Sequence, residues 1–543
     1  MARSRPRVWL VAGCAAVILW ASVAQLVAVG RFLLLFGLVG DADPSPPPSA
    51  LPPPRIYMSN GYLKISCNGG LNQMRSEICD MVAVARLLNL TMVVPELDKR
   101  SFWADQSNFG DIFDVRHFIN SLRDKVHIIE QLPEKLGPRD SNIIILEMPP
   151  VSWSDEKYYL HQILPLFNKY SIIHFNKTDA RIANNGISTE LQLLRCRVNF
   201  HALKFTPQIE GLGNKLVHKL RAKGSFVALH LRYEMDMLAF SGCNHGLSPE
   251  EAEELKKMRW HTSAKGDTNH HEDKDDDNYG DRHGNRYRSS CRWDTQPYSW
   301  MDSYVEVSSR PQSRNGHDVG VIEWPLEEVD VAQETESGKI WGRRYAYPWW
   351  RDKEIDSQAK RSQGLCPLTP EEASLVLKAL GFQKDALMYI AAGEIYGGDR
   401  RLEPLRSAFP NLVRKEMLLD SEVLHQFQNH SSQMAALDFI VSTASDVFIP
   451  TFDGNMAKLV EGHRRFLGFR RSVVLDRRKL VELLDLYTNK TISWDKFASS
   501  VREAHKDRVA QPSCRRKLEN RPKEEDYFYA NPHECLANST LCS

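Results

Sequence analysis

Residues 225–234 read SFVALHLRYE, a short apolar run that ends abruptly in His230, Arg232 and Glu234. A buried parallel strand is typical of such a run, and open α/β sheets bind ligands beyond the carboxyl ends of their strands. His230 and Arg232 are two residues apart, so on a strand they project to the same side. Arginine is the side chain best matched to paired phosphate oxygens. A strand end with a solvated arginine and a satisfied histidine fits these residues equally well.

The chain around this stretch has 543 residues, which is too long for one ordinary core, and we expect two domains with appendages. Lysine and arginine total 70 against 69 aspartates and glutamates, so the overall charge does not indicate a nucleic-acid partner. The hydrophobic content of 42% is that of a globular protein with a sizeable core.

The amino-terminal segment predicts a membrane anchor. Three arginines lie in residues 1–7, and residues 8–30 carry no charge, with apolar character continuing to residue 39. About 20 helical residues cross a bilayer, and the basic flank indicates a cytoplasmic tail 1–7 before a transmembrane signal anchor 8–30. A cleaved secretory signal is the alternative, since residues 28–30 resemble a cleavage site. Either interpretation sends the rest of the chain to the secretory lumen.

Cysteines and glycosylation sequons agree with a lumenal location. None of the cysteines beyond the span has the C-x-x-C spacing of a zinc site, so we expect disulfides. Candidate N-glycosylation sites are Asn89, Asn176, Asn429, Asn489 and Asn538. The nine cysteines beyond the span are Cys67, Cys79, Cys196, Cys243, Cys291, Cys366, Cys514, Cys535 and Cys542.

Two α/β domains are predicted after a proline-rich stem, residues 41–56. In the first, residues 57–220, a strand at 62–66, a glycine turn, a helix from 71 and a strand at 91–95 form a βαβ unit with a parallel sheet. The second, residues 221–500, alternates strands with helices, two of which begin at the capping boxes SPEE (248–251) and TPEE (369–372). We therefore expect two Rossmann-like domains that face a cleft.

One segment does not fit this alternation. Residues 261–344 are polar and charged without helical or strand periodicity, and we expect them to be a disordered insertion that interrupts the second domain. Translated intronic sequence is another explanation. Without Cys291 in this insertion the lumenal cysteines number eight, whose pairing the sequence does not reveal. Residues 501–543 are predicted to be an appended tail that contains cysteines.

Three polar clusters are predicted to meet at the strand ends: the glycine turn with Gly69, Gly70 and Asn72, the stretch beginning at His230, and residues 446–455. Glycines before a helix admit an anion, although a plain tight turn is the alternative. Asp446 and Asp453 suit sugar hydroxyls, whereas Asp453 and Asn455 also fit helix caps. The basic residues His463, Arg464 and Arg465 fit a ligand site or a solvated face.

An acidic pair, Glu234 and Asp236, adjoins Arg232, which could neutralise it. We therefore expect phosphate charge to be met by Arg232 and backbone donors, with no obligatory metal and no cofactor. Glu234 is a candidate general base.

Six motifs together resemble the plant O-fucosyltransferase family, which is similar to GDP-fucose protein O-fucosyltransferases. The resemblance covers roughly residues 64–532 apart from the insertion, which departs from the family's pattern. It rests on NGGLNQMR (68–75), HLRYE with DMLAF (230–234 and 236–240), CPLTP (366–370), GEIYGG (393–398), DGNMAK (453–458) and GHRRF (462–466).

This resemblance implies a GT-B arrangement and a type II Golgi membrane protein with a lumenal catalytic domain. It also implies inverting transfer from a nucleotide sugar, nominally GDP-fucose, to a hydroxyl of a glycan or glycoprotein. His230, Leu231 and Arg232 would hold the donor, with Arg232 on the pyrophosphate. The family's pattern also matches the glycine turn at Gly69, Gly70 and Asn72, and Asp446 with Asp453.

Two other functions stay open. A UDP-rhamnose-dependent rhamnosyltransferase acting on pectin (rhamnogalacturonan) would share the same motifs. A catalytically silent carbohydrate-binding membrane protein would keep the fold without turnover.

Overall fold

A computed structural model of the chain describes residues 51–99, 105–133, 144–176, 178–179, 181–260, 355–427, 430–468, 470–508, 528–531 and 533–536. The predicted anchor, the insertion 261–344 and the sequons at Asn429 and Asn538 lie outside these residues. Within them, no helix is both long and apolar enough to cross a membrane.

The first sheet is parallel and has the order β3-β2-β1-β5-β4. Its strands are β1 (Tyr62–Ser66), β2 (Thr91–Val93), β3 (Ile128–Ile129), β4 (Ile145–Met148) and β5 (Ile172–Asn176). Strand β1 pairs with β2 and β5 in parallel, which confirms the predicted βαβ unit. The glycine turn follows β1, so it lies at the carboxyl edge of this sheet.

The second sheet is also parallel, with the order β8-β7-β6-β9. Its strands are β6 (Phe226–His230), β7 (Leu387–Ile390), β8 (Leu412–Val413) and β9 (Val447–Pro450). Strand β6 is buried throughout and pairs with β7 and with β9, where His230 lies opposite Pro450. The α/β class with parallel sheets is therefore confirmed.

Helices connect the strands as the alternation predicts. The capping boxes form as expected: Ser248 and Glu251 exchange hydrogen bonds before one helix, and Thr369 and Glu372 do so before another. The α-helices of the described residues are α1 (Leu71–Leu87), α2 (Phe109–Ile112), α3 (Val115–Leu122), α4 (Glu156–Tyr158), α5 (Thr189–Arg197), α6 (Pro207–Arg221), α7 (Met235–Ser241), α8 (Pro249–Trp260), α9 (Ser357–Ser362), α10 (Pro370–Ala379), α11 (Gly398–Ala408), α12 (Lys415–Leu418), α13 (Ser421–His425), α14 (Ser431–Ala444), α15 (Asn455–Phe466), α16 (Arg477–Thr488) and α17 (Trp494–His505).

The two sheets belong to one compact unit that begins at Pro53. Helix α6 packs along α14, and α1 packs against α15, so helices from both halves form the contact between them. The buried guanidinium of Arg75 on α1 lies 5.1 Å from the ring centroids of Phe205 and Phe439, which come from opposite halves. Phe200 and Phe466 stack across the same contact at 4.3 Å. An aromatic interface therefore joins the halves.

Part of the predicted carboxyl-terminal tail, residues 528–531, packs into this contact. Phe528 and Tyr529 are buried, and the Tyr529 hydroxyl donates to Asp80 Oδ1 on α1 at 2.6 Å. On the other side, Arg465 of α15 donates to the carbonyl oxygen of Ala530. Apolar burial and these polar contacts retain the segment, which bridges helices of both halves.

Disulfides form between Cys196 and Cys535 and between Cys243 and Cys366. The disulfide expectation is wrong for Cys67 and Cys79, which are free thiols. Both are buried in the first core, and burial raises the pKa of each thiol well above its usual value. Among the described sequons, Asn489 is exposed, whereas Asn89 and Asn176 are half-buried.

Candidate active site

The ends of β6 and β9 are joined side by side at the carboxyl edge of the second sheet. The Thr451 amide and hydroxyl donate to the carbonyl oxygen of His230 at 3.0 and 3.1 Å. The Arg232 amide in turn donates to Thr451 Oγ1 at 3.1 Å. Arg232 therefore leaves the sheet beside the loop that follows β9, which carries Asp453.

The Arg232 guanidinium is held by the acidic pair that follows it. Asp236 Oδ1 and Oδ2 lie 3.4 and 3.0 Å from the two terminal nitrogens, and Glu234 Oε2 lies 2.8 Å from Nη1. Burial lowers the pKa of Arg232, but the attraction of Asp236 and Glu234 is greater and raises it above its usual value. The Arg232 side chain keeps 21% of its surface exposed, so a fixed cation remains accessible.

Asp236 begins the first turn of α7 with little contact with water. Burial raises the pKa of this carboxyl, Arg232 opposes the rise, and Glu234 adds to it. With both carboxylates ionised, the cluster of Arg232, Glu234 and Asp236 has one excess negative charge. A diphosphate would bind more readily after one carboxylate has taken up a proton.

His230 is 4% exposed, and its Nδ1 has no hydrogen-bond partner among the described residues. Burial, and then the neighbouring charge of Arg232, lowers the pKa of His230 to about 3, so the ring is neutral. Buried polar atoms are nearly always hydrogen-bonded, and the described residues supply no partner for this nitrogen. A neutral imidazole suits a hydroxyl or a phosphate oxygen.

Glu234 also contacts the turn after β7. Its Oε1 accepts from the Gly393 amide at 3.2 Å, and its backbone bridges to Ile395. The two oxygens of Glu234 are thus directed at Gly393 and at Arg232. This geometry places Glu234 beside the Arg232 guanidinium, where it can orient it, and the base role that the sequence suggested for Glu234 stays a prediction.

The glycine turn needs its first glycine. Gly69 has a φ of +90°, and a Cβ there would lie 2.5 Å from the side-chain oxygen of Gln73. Its amide donates to Asp98 Oδ2 at 2.6 Å, and Gly70 is the N-cap of α1, whose first turn contains no acidic side chain. Asn72 is 6% exposed, and its Oδ1 lacks a partner in the part of the chain described. The uncapped amides at the start of α1 can receive an anion, and Asn72 Oδ1 can accept a hydrogen bond from a hydroxyl.

Asp453 and Asp446 lie at opposite ends of β9. Asp453 is half-exposed on the loop beside Arg232, with Lys458 Nζ 3.8 Å away, and neither it nor Asn455 caps α15, whose cap is Gly454. Asp446 instead accepts from the Ser225 hydroxyl and the Phe226 amide, both at 2.8 Å. These residues begin β6, so Asp446 lies at the amino edge, roughly four residues or 13 Å of strand from His230. Its predicted place in the donor cluster is wrong, because the strand separates the two ends.

The basic run on α15 is neither a ligand site nor a solvated face. Arg464 is fully buried and donates to the carbonyl oxygens of Ser442, Ser445 and Arg471, among others. Ser442 and Ser445 lie at the carboxyl end of α14, so Arg464 caps that helix end. His463 lies between aromatic rings, and burial lowers its pKa to about 3. The positive charge of Arg464 serves unpaired carbonyl groups at a helix end.

The sequence profile described as "GDP-fucose protein O-fucosyltransferase" matches residues 62–467, which include both sheets and the strand ends described above. The chain belongs to the GDP-fucose protein O-fucosyltransferase family. It is a glycosyltransferase, as the motifs indicated.

Relatives of this O-fucosyltransferase-family chain carry two kinds of name. An Arabidopsis thaliana protein named rhamnogalacturonan I rhamnosyltransferase 1 is 54% identical and covers 99% of this chain and 93% of its own length. O-fucosyltransferase 7 of the same organism is 39% identical, over 91% of this chain and 72% of its own. A solved structure of POFUT1 in complex with GDP aligns over 77% of this chain and 98% of its own, at 12% identity and a TM-score of 0.35, which is too distant to support a functional inference.

Thr451 and Gly393 lie within the stretches 446–455 and 393–398, but the sequence alone indicated no role for either in this glycosyltransferase. Both follow a strand of the second sheet, so the rule that placed Arg232 at a carboxyl edge would have found them. Within the described ranges, no group of three or more His, Cys, Asp or Glu side chains is arranged to hold a metal ion. The expectation that the reaction needs no metal stays a prediction.

Proposed function

We propose that this glycosyltransferase transfers rhamnose from UDP-rhamnose to a rhamnogalacturonan-type acceptor, with inversion. The choice of UDP-rhamnose as donor rests on the 54% identity, over nearly the whole chain, to a protein named rhamnogalacturonan I rhamnosyltransferase 1. GDP-fucose is the second candidate donor, favoured by the family's description. Both sugars are 6-deoxyhexoses linked to a nucleoside diphosphate, so the chemistry at the leaving group is shared.

In the proposed mechanism, Arg232 stabilises the departing diphosphate. As the bond to the sugar breaks, negative charge grows on the departing diphosphate while the sugar becomes cation-like. A guanidinium already held by Glu234 and Asp236 needs little reorganisation to stabilise that charge. His230 Nδ1 and Asn72 Oδ1 are two of the buried atoms without a hydrogen-bond partner among the described residues, and Asn72 Oδ1 can accept a hydrogen bond from a hydroxyl of the donor or the acceptor. Glu234 orients Arg232 through its contacts with the guanidinium and the Gly393 amide.

Membrane anchoring in the Golgi is part of the proposal and rests on the uncharged residues 8–30 after three arginines. A tag at the carboxyl terminus should be protected from added protease in sealed Golgi vesicles, and a tag at the amino terminus should be cleaved. Cleavage of both tags in intact vesicles would contradict this topology.

A donor panel tests the function. The full-length protein in detergent is incubated with UDP-rhamnose or GDP-fucose and rhamnogalacturonan oligosaccharides. We expect UDP release together with an acceptor mass increase of one deoxyhexose. GDP release with fucosylated product would establish the second candidate. Nucleotide binding without release of either diphosphate would favour the silent carbohydrate-binding protein.

Arg232→Ala should reduce turnover by about 10²–10³-fold, because removing one stabiliser of a developing anion typically has that effect. Arg232→Lys should restore little, since an ammonium cannot form a bidentate contact. Arg406→Ala is the matched control, because Arg406 pairs with Asp399 on the outer surface of α11. Turnover of Arg232→Ala at the rate of Arg406→Ala would refute the assignment.

A further inference from the structure

A buried charged triad lies beneath the site. The Lys415 ammonium donates to Asp438 Oδ2 at 2.7 Å, and the Tyr389 hydroxyl donates to Asp438 Oδ1 at 2.6 Å. Lys415 is 2% exposed, and the other two residues are also buried. They come from the start of α12, from α14 and from β7, so three separate elements contribute to one polar cluster.

Stability alone gives little reason for this triad. Taking a lysine and an aspartate out of water costs several kcal/mol, and apolar replacement of such groups is often neutral or stabilising. Burial raises the pKa of Asp438 to about 6 even though Lys415 opposes the rise. Burial lowers the pKa of Lys415, but Asp438 and Glu416 outweigh it and raise that pKa. An ion pair that costs this much is retained for what it positions.

Lys415 also contacts the active-site edge. Its ammonium donates to the carbonyl oxygen of Ala392 at 2.7 Å, just beyond the end of β7. Arg414 holds the next carbonyl, that of Gly393, at 2.8 Å. The Gly393 amide then donates to Glu234, which pairs with Arg232 at 2.8 Å. Continuous polar contacts thus run from the buried triad to the guanidinium.

We propose that Lys415, fixed by Asp438 and Tyr389, is a positioning residue for donor binding. Its hydrogen bond to the Ala392 carbonyl fixes the position of the turn after β7. Through the Gly393 amide and Glu234, that position sets the orientation of the Arg232 guanidinium. The proposal rests on the proposed function, because Arg232 is taken as the diphosphate-binding group. It goes beyond that function by assigning donor affinity to a side chain that contacts no substrate.

The test replaces the whole triad by apolar residues of similar size: Tyr389→Phe, Lys415→Met and Asp438→Leu together. Glu416, which lies 3.4 Å from Lys415, is 40% exposed and keeps Arg414 at 3.3 Å, so changing all three leaves no buried unpaired charge. The variant should therefore fold with a Tm close to that of the wild type. Its Kd for the nucleoside diphosphate that the wild type binds, UDP or GDP, should rise roughly ten-fold or more, because small displacements of a binding group have effects of that size. Calorimetry measures this Kd without turnover.

Lys219→Met is the matched control. Lys219 also donates from a partly buried ammonium to a backbone carbonyl, that of Leu418, but this carbonyl does not lead to Glu234. Its Kd should equal that of the wild type. A folded triple variant with wild-type Kd would overturn the proposal.

A second variant tests the proposal if the triple variant fails to fold. Arg414→Met removes the other hold on the same turn from a side chain that is 20% exposed, so it leaves the core intact. Its nucleotide Kd should rise by roughly three-fold, about the loss of one weak hydrogen bond. An unchanged Kd in Arg414→Met would overturn the proposal in that case. A wild-type protein that binds neither UDP nor GDP would instead refute the proposed function itself.

Discussion

Gly462→Ala should release the carboxyl-terminal segment from the contact between the two halves. Gly462 lies within α15, and a Cβ at this position would lie 1.7 Å from the carbonyl oxygen of Tyr529. Backbone cannot rotate away as a flexible side chain can, so the segment would have to move by roughly 1.5 Å or more to reach van der Waals distance. A methyl group inside a helix is otherwise favourable, which makes the steric effect separable.

The expected loss of stability is about 3 kcal/mol. Displacing the segment disturbs the hydrogen bonds of Tyr529 with Asp80 and of Arg465 with Ala530, each of which contributes about 1 kcal/mol. It also exposes part of the Phe528 ring, whose full burial stabilises by about 1.5–3 kcal/mol. Overpacking of a core by one methyl group typically costs about 1–3 kcal/mol, in agreement with this sum.

Gly211→Ala is the matched control, because it makes the same change in α6 where a Cβ would meet nothing within 4 Å. It should stabilise the protein by about 0.5–1 kcal/mol. Urea unfolding of both variants measures the difference, and limited proteolysis reports whether the segment has been released. Equal stabilisation by the two alanines would refute the inference that the segment occupies a fixed place against α15.

Three further changes test other parts of the structure. Burial raises the pKa of Glu461 from 4.5 to about 7, so the folded state keeps a proton that the unfolded state loses, and the unfolding free energy falls by on the order of 3 kcal/mol as pH rises from about 4.5 to 7. Glu461→Gln should remove this pH dependence from urea unfolding curves, and an unchanged dependence would contradict the prediction. Cys535→Ser removes the bond to Cys196, which spans 339 residues, and should lower the unfolding free energy by about 2–4 kcal/mol; an unchanged midpoint would argue against the pairing. The raised pKa of Asp236, which faces Arg232 and Glu234, predicts tighter nucleotide binding as pH falls, with proton uptake measurable by calorimetry in two buffers; an Asp236→Asn variant that keeps the pH dependence would contradict this.

Local sequence signals predicted the elements closely. The apolar run before His230 became β6, and the capping boxes at Ser248 and Thr369 mark helix starts. The βαβ unit around the glycine turn was also recognisable, because its strands, turn and helix are consecutive. These features depend on hydrogen bonds and burial within a few residues, which periodicity and cap residues report directly.

Burial of charged side chains was not predictable in the same way. Arg464 was expected at a ligand site or in solvent, and it is fully buried against backbone carbonyls. Asp446 is assigned to the donor site together with Asp453 by the family resemblance, yet β9 carries the two to opposite edges of the sheet. The environment of Arg464 or Asp446 depends on partners from other elements of the chain. Composition and spacing around the residue therefore do not predict it.

The amino-acid sequence by itself determined the family, the two α/β halves and the strand-end arginine at position 232. Only the tertiary structure decided that Glu234 orients this arginine, that Lys415 supports the turn after β7, and that Tyr529 returns to pack beside α1. The physical reason is separation along the chain: Glu234 and Gly393 are 159 residues apart, and Asp80 and Tyr529 are 449 apart. Contacts between such distant residues leave no periodic trace in the sequence, because they arise only when separately folded elements pack together.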